Sequence, residues 1–400
     1  MISLRKLSVI VVRLITLGLC GLGIWYSWAF ARAGYLSDQD TGASVRAAIA
    51  VVPDGWPYYL RLAQFDQAGA RPLLAKALEL NRYDAQADVE LALQFEMEGN
   101  NTQAEKLLLS AFDVDRTYLP RWSLANFYLR RDNEPEFWHW ARSAAAMPSE
   151  DVFPLFELCW RVAPDPEKIS TILLDGNPET LRQFIKFLLA KGQVNQAGLL
   201  SPRLVQTGDK ISDRPLIFTV VDDLIAKNDR GPAVAVWRAL IQRHWVIADL
   251  TEPNNPKFAH EPLPVGFDWA LPEETGLHSW PGESGLETEF GGNEPDDATV
   301  AEQVLALDPG SYTVTYSYRT AGVAPDTGIK WQVLDAQSGR VLGESADLSS
   351  EKTVQFAFQT SVPPDVPFVR LRLHYHRALG TTRIAGSLVI EWVRIEAHRE

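Results

Sequence analysis

Residues 85–115 read AQADVELALQFEMEGNNTQAEKLLLSAFDVD, and this stretch decides how the first half of the chain folds. Apolar and small residues recur every three to four positions on both sides of Gly99, which is the spacing of two amphipathic helices. Ala92, Ala104 and Ala111 are small where the two helices cross closely, and larger side chains would push them apart. Gly99 suits the end of the first helix, because glycine adopts a left-handed backbone at no steric cost. The stretch predicts a helical hairpin.

The same arrangement returns along the chain. The residues at 99–104, GNNTQA, are matched by GQVNQA at 192–197, and a weaker copy begins at Trp122 and closes at Met147-Pro148. In these residues the chain resembles the tetratricopeptide-repeat (TPR) proteins, whose unit is a helix pair of about 34 residues. We therefore expect residues 35–250 to form an all-α, TPR-like helical repeat array of roughly six helix pairs.

Such an array has two uses that the sequence leaves open. Stacked helix pairs form a concave groove, and the resemblance implies that this groove binds a protein partner. In the alternative, the array only spaces the C-terminal part from the membrane. The aromatic run Phe137–Trp140 has the look of a ligand site, but Phe137, Trp140 and Ala141 share a helix face, so we expect part of the run to lie in the core.

The N-terminus contains a membrane-span candidate within residues 1–34. Residues 14–31, LITLGLCGLGIWYSWAFA, are 18 uncharged positions that would span roughly 27 Å as a helix, close to the hydrocarbon thickness of a bilayer. Aromatic residues cluster at the C-terminal end of this segment, where they favour the membrane interface. The basic residues Arg5, Lys6 and Arg13 lie on its N-terminal side. The positive-inside rule predicts a single pass through a bacterial inner membrane, with a cytoplasmic N-terminus and a periplasmic bulk.

Two other fates of this segment stay open. The small-x-small pattern at Ala29–Ala31 permits cleavage as a signal peptide, although the bulky aromatic residues before it would crowd the cleavage region, which favours an uncleaved anchor. Leu17–Cys20 has the outline of a bacterial lipobox, with Leu19 in place of the small residue expected before the cysteine. In all three alternatives, the rest of the chain is exported from the cytoplasm.

The hydrophobic period changes to two in the last third of the chain. Residues 251–266 are polar and rich in proline and are expected to be a linker, followed by an all-β domain at 267–400. Several strands with one apolar face need a second sheet to cover that face, which predicts a β-sandwich. The predicted inward rows are Tyr312, Val314, Tyr316 and Tyr318; Ile329, Trp331 and Val333; Val354, Phe356 and Phe358; Val369, Leu371, Leu373 and Tyr375; and Leu388, Ile390 and Trp392.

The order of these features resembles a jelly-roll module of the carbohydrate-binding, galactose-binding-like kind. The residues that carry the resemblance are Phe267–Trp269 at the start of the domain, the turn LDPGSY at 307–312, and the closing strand at 386–395. These are features of the fold, so the resemblance implies a jelly roll and transfers no ligand-binding residue.

The residues themselves suggest one ligand site in this domain. Arg370, Arg372, His374 and His376 alternate with the apolar row and form an outward stripe, which would bind an anionic sugar through charge-assisted hydrogen bonds or would simply be a solvated face. Glu391 is expected on the same face. No third ligand accompanies His374 and His376, so we expect no metal site there. The acidic loop 293–297 is a calcium candidate, but a solvated loop fits its spacing better.

Composition excludes several classes of protein. The formal net charge is −13, which argues against binding to nucleic acid. The last 150 residues carry 22 acidic and 11 basic side chains, so most of the excess lies in the predicted β domain. The two cysteines, Cys20 and Cys159, exclude a disulfide framework and a cysteine-based zinc site.

No pattern of catalytic residues or cofactor binding is present. The sequence has no nucleophile elbow, zinc-protease helix, phosphate-binding loop or dinucleotide fingerprint, so we expect no enzyme and no cofactor. The order of parts resembles that of TPR proteins associated with bacterial exopolysaccharide or cell-surface polysaccharide assembly, and this resemblance implies a membrane-anchored scaffold of the bacterial envelope with such a role. The alternatives are an assembly factor of another envelope machine, in which the sandwich binds protein, and a hydrolase whose site has no recognised motif.

Overall fold

A computed structural model describes residues 4–147, 151–174, 176–248 and 253–398, with side chains from Arg13 onward. It divides into two compact units, Met1–Asp175 and Gly176–Glu400. The last helices before the β domain therefore belong to the same unit as that domain, while the boundaries expected at 34/35, 250/251 and 266/267 stay a prediction. Pro148, residues 251–252 and the side chains of Arg5 and Lys6, on which parts of the sequence analysis depend, lie outside the described residues.

The first helix, α1, runs without a break from Leu4 to Asp38. Its part from Arg13 to Asp38 is long and apolar enough to cross a membrane, and the large side chains between residues 14 and 28 are exposed. The last turns pack against α2 (Gly42–Val51), where Ala29 and Ala33 are buried with Ala48 and Val52. The helix is therefore continuous through Ala29–Ala31, the small-x-small sequence that would permit cleavage.

The rest of the first unit consists of short helices that pack on their neighbours in the chain. Within the described residues, α3 to α14 make six consecutive helix pairs, the number that the sequence predicts. The bounds in the first unit are α3 Trp56–Phe65, a 3-10 turn at Gln67–Gly69, α4 Ala70–Leu80, α5 Ala85–Met97, α6 Asn101–Val114, α7 Tyr118–Leu129, α8 Glu134–Ala145, α9 Phe153–Val162 and α10 Pro166–Leu173.

Four of the hairpins share one turn geometry. The residue two positions before each second helix has a left-handed backbone, and the next residue donates its N–H to the carbonyl oxygen five positions earlier. The left-handed residues are Gly99, Asp132, Gly192 and Asn228, and the hydrogen bonds are Asn100 to Phe95 (2.8 Å), Asn133 to Tyr128 (3.1 Å), Gln193 to Leu188 (2.8 Å) and Asp229 to Leu224 (2.9 Å). The turns predicted at the two glycines are confirmed, and Asp and Asn take the same position in the other two hairpins.

Small and aromatic residues fill the contacts between these helices. Ala92, Ala104 and Ala111 are buried, as the predicted close crossing requires. In the aromatic run of α8, Phe137, Trp138 and Trp140 are buried and His139 is exposed, and Trp140 contacts Phe112 edge-on at 4.8 Å between ring centroids. The prediction that part of this run lies in the core is therefore confirmed.

The second unit begins with four helices and continues into a segment without a helix. Residues 253–268 pack against the sandwich, because Trp269 donates its indole N–H to the Asn254 carbonyl (2.7 Å) and Phe258 is buried in the sandwich core. The predicted absence of a helix holds for the described part of this segment. The four helices are α11 Pro178–Ala190, α12 Val194–Thr207, α13 Lys210–Ala226 and α14 Arg230–Gln242.

In the described part of the second unit, ten strands form the predicted sandwich of two antiparallel five-stranded sheets. The first sheet has the order β1-β4-β9-β6-β7 and the second the order β2-β3-β10-β5-β8, so the chain passes back and forth between the sheets as in a jelly roll. The bounds are β1 Trp269–Ala270, β2 Leu277–Gly282, β3 Gly285–Gly291, β4 Asp297–Leu305, β5 Gly310–Ala321, β6 Ile329–Asp335, β7 Val341–Glu344, β8 Val354–Val362, β9 Val369–His376 and β10 Ala385–Ala397.

Most of the predicted inward rows are buried, Val354 and Phe358 are partly buried against the core, and two other positions depart from the prediction. Phe356 is 51% exposed because β8 is the edge strand of the second sheet. Trp392 does not continue the inward row of β10, since a bulge between Ile390 and Trp392 shifts the register and turns Val393 inward instead.

Candidate functional site

The first unit carries an open groove of about 800 Å³ across α3, α5 and the end of α7. Leu93 and Met97 on α5 are 42% and 73% exposed along it. The side-chain amides of Gln67 and Gln94 make no hydrogen bond within the described part of the chain. The groove therefore offers an apolar contact and two amides that can each donate and accept hydrogen bonds.

Charged side chains form an ion-pair cluster at one end of the groove. Arg130 forms two hydrogen bonds with the Glu96 carboxylate (2.8 and 2.7 Å), and Arg131 adds a third (3.1 Å). Burial alone would raise the pKa of Glu96, but the hydrogen bonds and charges of the two arginines outweigh burial and hold the pKa below its usual value. One carboxylate therefore faces two guanidiniums at this end, and Glu90, which also lines the groove, brings the formal charge of the lining to zero.

The stripe predicted on the β domain lies along β9, the central strand of the first sheet. Arg370, Arg372, His374 and His376 point away from the core, opposite the buried row that begins at Val369. Arg370 approaches Glu302 on β4 (3.5 Å), and Arg372 donates to the Gln332 side chain on β6 (2.9 Å). Their use as a sugar site stays a prediction.

The two ends of this stripe have different surroundings. Arg370 lines a cavity of about 340 Å³ together with Asp222 of α13 and Asp268, within the second unit. At the other end, His374 is only 6% exposed, whereas His376 is 67% exposed at its side chain. Burial, helped by the charge of Arg372, lowers the pKa of His374. The stripe is therefore not one uniform solvated face.

Glu391 does not belong to this stripe, contrary to the expectation from the sequence. It lies on β10, which is part of the second sheet. There its carboxylate accepts hydrogen bonds from Ser317 (2.8 Å) and Thr353 (3.2 Å). Sequence alternation shows which residues share a face of one strand, but not which sheet holds that strand.

The acidic loop before β4 is bound to the loop after β9. Glu294 is fully buried, not solvated, and its carboxylate accepts the backbone N–H of Ile384 (2.9 Å). Hydrogen bonds from Arg377 and Arg383 lower the pKa of Asp296. These contacts join residues 81 to 90 positions apart, which the sequence alone does not pair.

The next residue, Asp297, completes a cluster that the sequence analysis missed. Its Oδ2 lies 2.9 Å from His376 Nδ1 and 3.4 Å from His374 Nε2. Among the residues that the structure describes, this is the one group of three His, Cys, Asp or Glu side chains with ligand atoms close enough for one metal ion. The third ligand that seemed to be lacking comes from β4, which pairs with β9.

Both parts of the chain are similar to solved structures. Pseudomonas aeruginosa pilF is 19% identical over 47% of this chain and 90% of its own, with a TM-score of 0.26. PilW, a type IV pilus biogenesis factor, is 14% identical over 55% of this chain and 90% of its own, with a TM-score of 0.27. A CBM4 carbohydrate-binding module is 14% identical over 37% of this chain and all of its own, with a TM-score of 0.30. No protein-family model and no curated protein matches the sequence.

Proposed function

We propose that this protein is a non-enzymatic, membrane-anchored scaffold of the bacterial cell envelope whose helical hairpins bind a protein partner. The observation that carries the proposal is the groove across α3, α5 and α7, where Leu93 and Met97 are exposed beside Gln67 and Gln94. Exposed apolar side chains that are surrounded by polar groups are typical of a binding surface.

The chemistry of the groove favours an extended, uncharged peptide segment of the partner. Main-chain N–H and C=O groups of such a segment pair with the Gln67 and Gln94 amides, which both donate and accept. An apolar side chain of the segment would pack against Leu93 and Met97. The formal charges of the lining cancel, with Glu90 and Glu96 against Arg130 and Arg131, so the groove has no net charge to attract an acidic segment.

The first helix supports retention in the membrane. Within the described residues the large apolar side chains between residues 14 and 28 are exposed, and Trp25 and Trp28 lie near the end of this stretch, where aromatic rings favour the interface. The buried contact of Ala29 and Ala33 with α2 would be disrupted by cleavage after Ala31. An alkaline phosphatase fusion after residue 40 should be active if the bulk is periplasmic.

Site-specific photocrosslinking of the full chain in its native membrane tests the groove. A photoreactive amino acid at Met97 is expected to form one defined adduct with a protein, because Met97 is exposed in the groove. The matched control is Leu109, an exposed leucine of α6 that does not line the groove. Leu93→Asp should lower the yield at Met97 by about 5-fold or more, the loss of about 1 kcal/mol of binding. Equal adducts from both positions, or no adduct from Met97, would contradict the proposal.

A role in exopolysaccharide assembly is the finer part of the proposal, and it depends on the outer face of the first sheet. Arg372 and Gln332 present neighbouring polar groups there, and Arg–carboxylate recognition is strong when it is bidentate. The full chain is expected to bind an acidic polysaccharide more weakly after Arg372→Ala than after Arg319→Ala, whose arginine lies on an exposed position of the second sheet. Absence of binding to a panel of acidic and neutral polysaccharides would leave the sandwich as a protein-binding module.

A further inference from the structure

We propose that Asp297, His374 and His376 bind one divalent transition-metal ion of the Zn²⁺ class on the outer face of the first sheet. The site is separate from the groove of the first unit, and it uses the two histidines of the stripe on β9. It is formed by two imidazoles at alternate positions of β9 and one carboxylate at the start of the neighbouring strand β4.

The distances suit a shared ion. Ligand atoms at about 2.1 Å from a tetrahedral zinc are about 3.4 Å from one another. Asp297 Oδ2 is 3.4 Å from His374 Nε2 and 2.9 Å from His376 Nδ1, and all three ligand atoms lie within 4.8 Å of one another. The side chains of Asp297 and His376 are about two-thirds exposed and can turn, so small rotations of exposed groups close the remaining gap.

The backbone places the three residues together before any ion binds. In the register of the two strands, Asp297 lies opposite His376 and Thr299 opposite His374. Gly328 allows the loop before β6 to approach β9 at this point, because its φ is +94° and a Cβ there would lie 1.8 Å from the His376 carbonyl oxygen. A scaffold that holds the ligands in place lowers the ordering cost of binding.

Neighbouring contacts also anchor the strand ends. Asp296 accepts hydrogen bonds from Arg377 (2.9 Å) and Arg383 (3.2 Å), and its backbone carbonyl accepts the Arg377 N–H (2.8 Å). These bonds tie the residue just before Asp297 to the residue just after His376. Two of the three proposed ligands are therefore flanked by a fixed connection between their strands.

The cations closest to the cluster are held by other acceptors. Arg372 donates to Gln332, and Lys330, which lies opposite His374 on β6, is 3.6 Å from both Glu344 and Asp347. Asp297 supplies the negative charge at the cluster itself. The positive neighbours therefore do not occupy the position between the three ligand atoms.

The ligand types select the class of ion. Imidazole nitrogens suit Zn²⁺, Cu²⁺, Ni²⁺ and Fe²⁺, whereas Ca²⁺ requires six to eight oxygen ligands, far more than the single carboxylate here offers. Three protein ligands are typical of zinc sites that leave a fourth position open. Because Asp297 and His376 are exposed, that position faces solvent and accepts water or an oxygen atom of a bound molecule.

Zinc titration of the full chain in detergent, without a polyhistidine tag, tests this site. Isothermal calorimetry is expected to show one Zn²⁺ per chain, and His376→Ala and Asp297→Asn are each expected to weaken binding by at least about 10-fold. X-ray absorption of the Zn²⁺-loaded chain should show two imidazole nitrogens. Both substituted side chains are exposed, so thermal unfolding without Zn²⁺ should match that of the original chain.

His278→Ala is the matched control. His278 is an exposed histidine on β2 in the second sheet, outside the cluster, and its removal should leave Zn²⁺ affinity unchanged. The proposal is overturned if the full chain shows no saturable Zn²⁺ binding, if neither ligand substitution weakens it, or if His278→Ala weakens it equally.

Discussion

The groove and the metal cluster are assembled over very different distances along the chain. The groove uses side chains between Ala63 and Arg131, supplied by helices that pack on their immediate neighbours. The cluster joins Asp297 to His374 and His376, residues nearly 80 positions apart that meet only because β4 pairs with β9. The repeat region therefore derives its sites from local structure, whereas the sandwich derives its site from the complete sheet.

This difference predicts how far the loss of stability caused by a substitution extends in each of the two regions. In stacked repeats each helix pair contacts only its neighbours, so the loss of stability caused by a substitution in one hairpin stays near that hairpin. In a sandwich, both sheets share one core, and every strand depends on the same buried side chains. Substitutions of decreasing severity test this contrast.

The largest effect is expected for Trp331→Ala in the sandwich. Trp331 is fully buried between the sheets and lies near Trp269 (6.1 Å) and Tyr316 (6.3 Å) between ring centroids. Removal of the ring should lower the free energy of unfolding by about 3–5 kcal/mol. Hydrogen exchange measured by mass spectrometry should show loss of protection in strands of both sheets, with helices α3 to α8 unchanged.

Trp392→Ala is the control for that substitution. Trp392 is half-buried on the outer side of β10, where the guanidinium of Arg394 lies 5.0 Å from its ring centroid. We expect a loss of about 1 kcal/mol or less, because a surface aromatic ring buries little area. A loss confined to one sheet after Trp331→Ala would contradict the shared core.

An intermediate and local effect is expected for Ala104→Leu in α6. Ala104 is fully buried where α6 crosses α5, and a leucine there forces the helices apart at a cost of about 1–3 kcal/mol. Hydrogen exchange should rise in α5, α6 and the adjacent hairpins only. Lys106→Leu, an exposed position of the same helix, should have little effect, and a loss of protection throughout the first unit would refute the nearest-neighbour picture.

The same contrast explains what the sequence could predict. Helix periodicity and the glycines at 99 and 192 were sufficient to predict the helical repeats, because the geometry of a helical hairpin is determined by residues close together in the sequence. Asp132 and Asn228 were not recognised as turn residues, since both types also occur within helices and only their backbone shows the left-handed conformation.

In the sandwich, alternation predicted the inward rows but not the relations between strands. The bulge that turns Trp392 outward depends on pairing between β10 and β5. The partnership of Asp297 with the two histidines depends on the strand order of the first sheet. Neither follows from the local pattern, because both are set by which strands become neighbours.

A smaller effect, with a defined pH dependence, is expected for Asp88→Asn in α5. Burial raises the pKa of Asp88 to about 6, with an opposing hydrogen bond from Ser110 and a further increase from Asp84. The folded state therefore holds this proton more tightly than the unfolded state does, and stability falls as pH rises from about 4 to about 6. Asp88→Asn should stabilise the first unit by about 1–2 kcal/mol at pH 7, measured by urea unfolding, and by little at pH 4.

Asp113→Asn provides the control for this prediction. Asp113 is exposed on α6 and pairs with Arg116 at the surface, so its removal should change stability little at either pH. An equal gain for Asp88→Asn at pH 4 and pH 7 would show that ionisation of Asp88 is not the cause.

The smallest effects concern the turn that the four hairpins share. Gly99 has a φ of +80° and open space around its missing Cβ, so Gly99→Ala should cost about 1 kcal/mol through backbone strain alone. Asp132 holds the same position at +53°, and Asp132→Gly should change stability by about 0.5 kcal/mol or less, because relief of strain is offset by greater freedom of the unfolded chain. Gly231→Ala in α14, which also has open space but no left-handed backbone, should stabilise by about 0.5–1 kcal/mol. Urea unfolding of the three variants separates backbone strain in the folded state from the conformational freedom of the unfolded chain. If Gly99→Ala and Gly231→Ala change the free energy of unfolding in the same direction, the turn does not require a left-handed residue. The four hairpins would then not be equivalent.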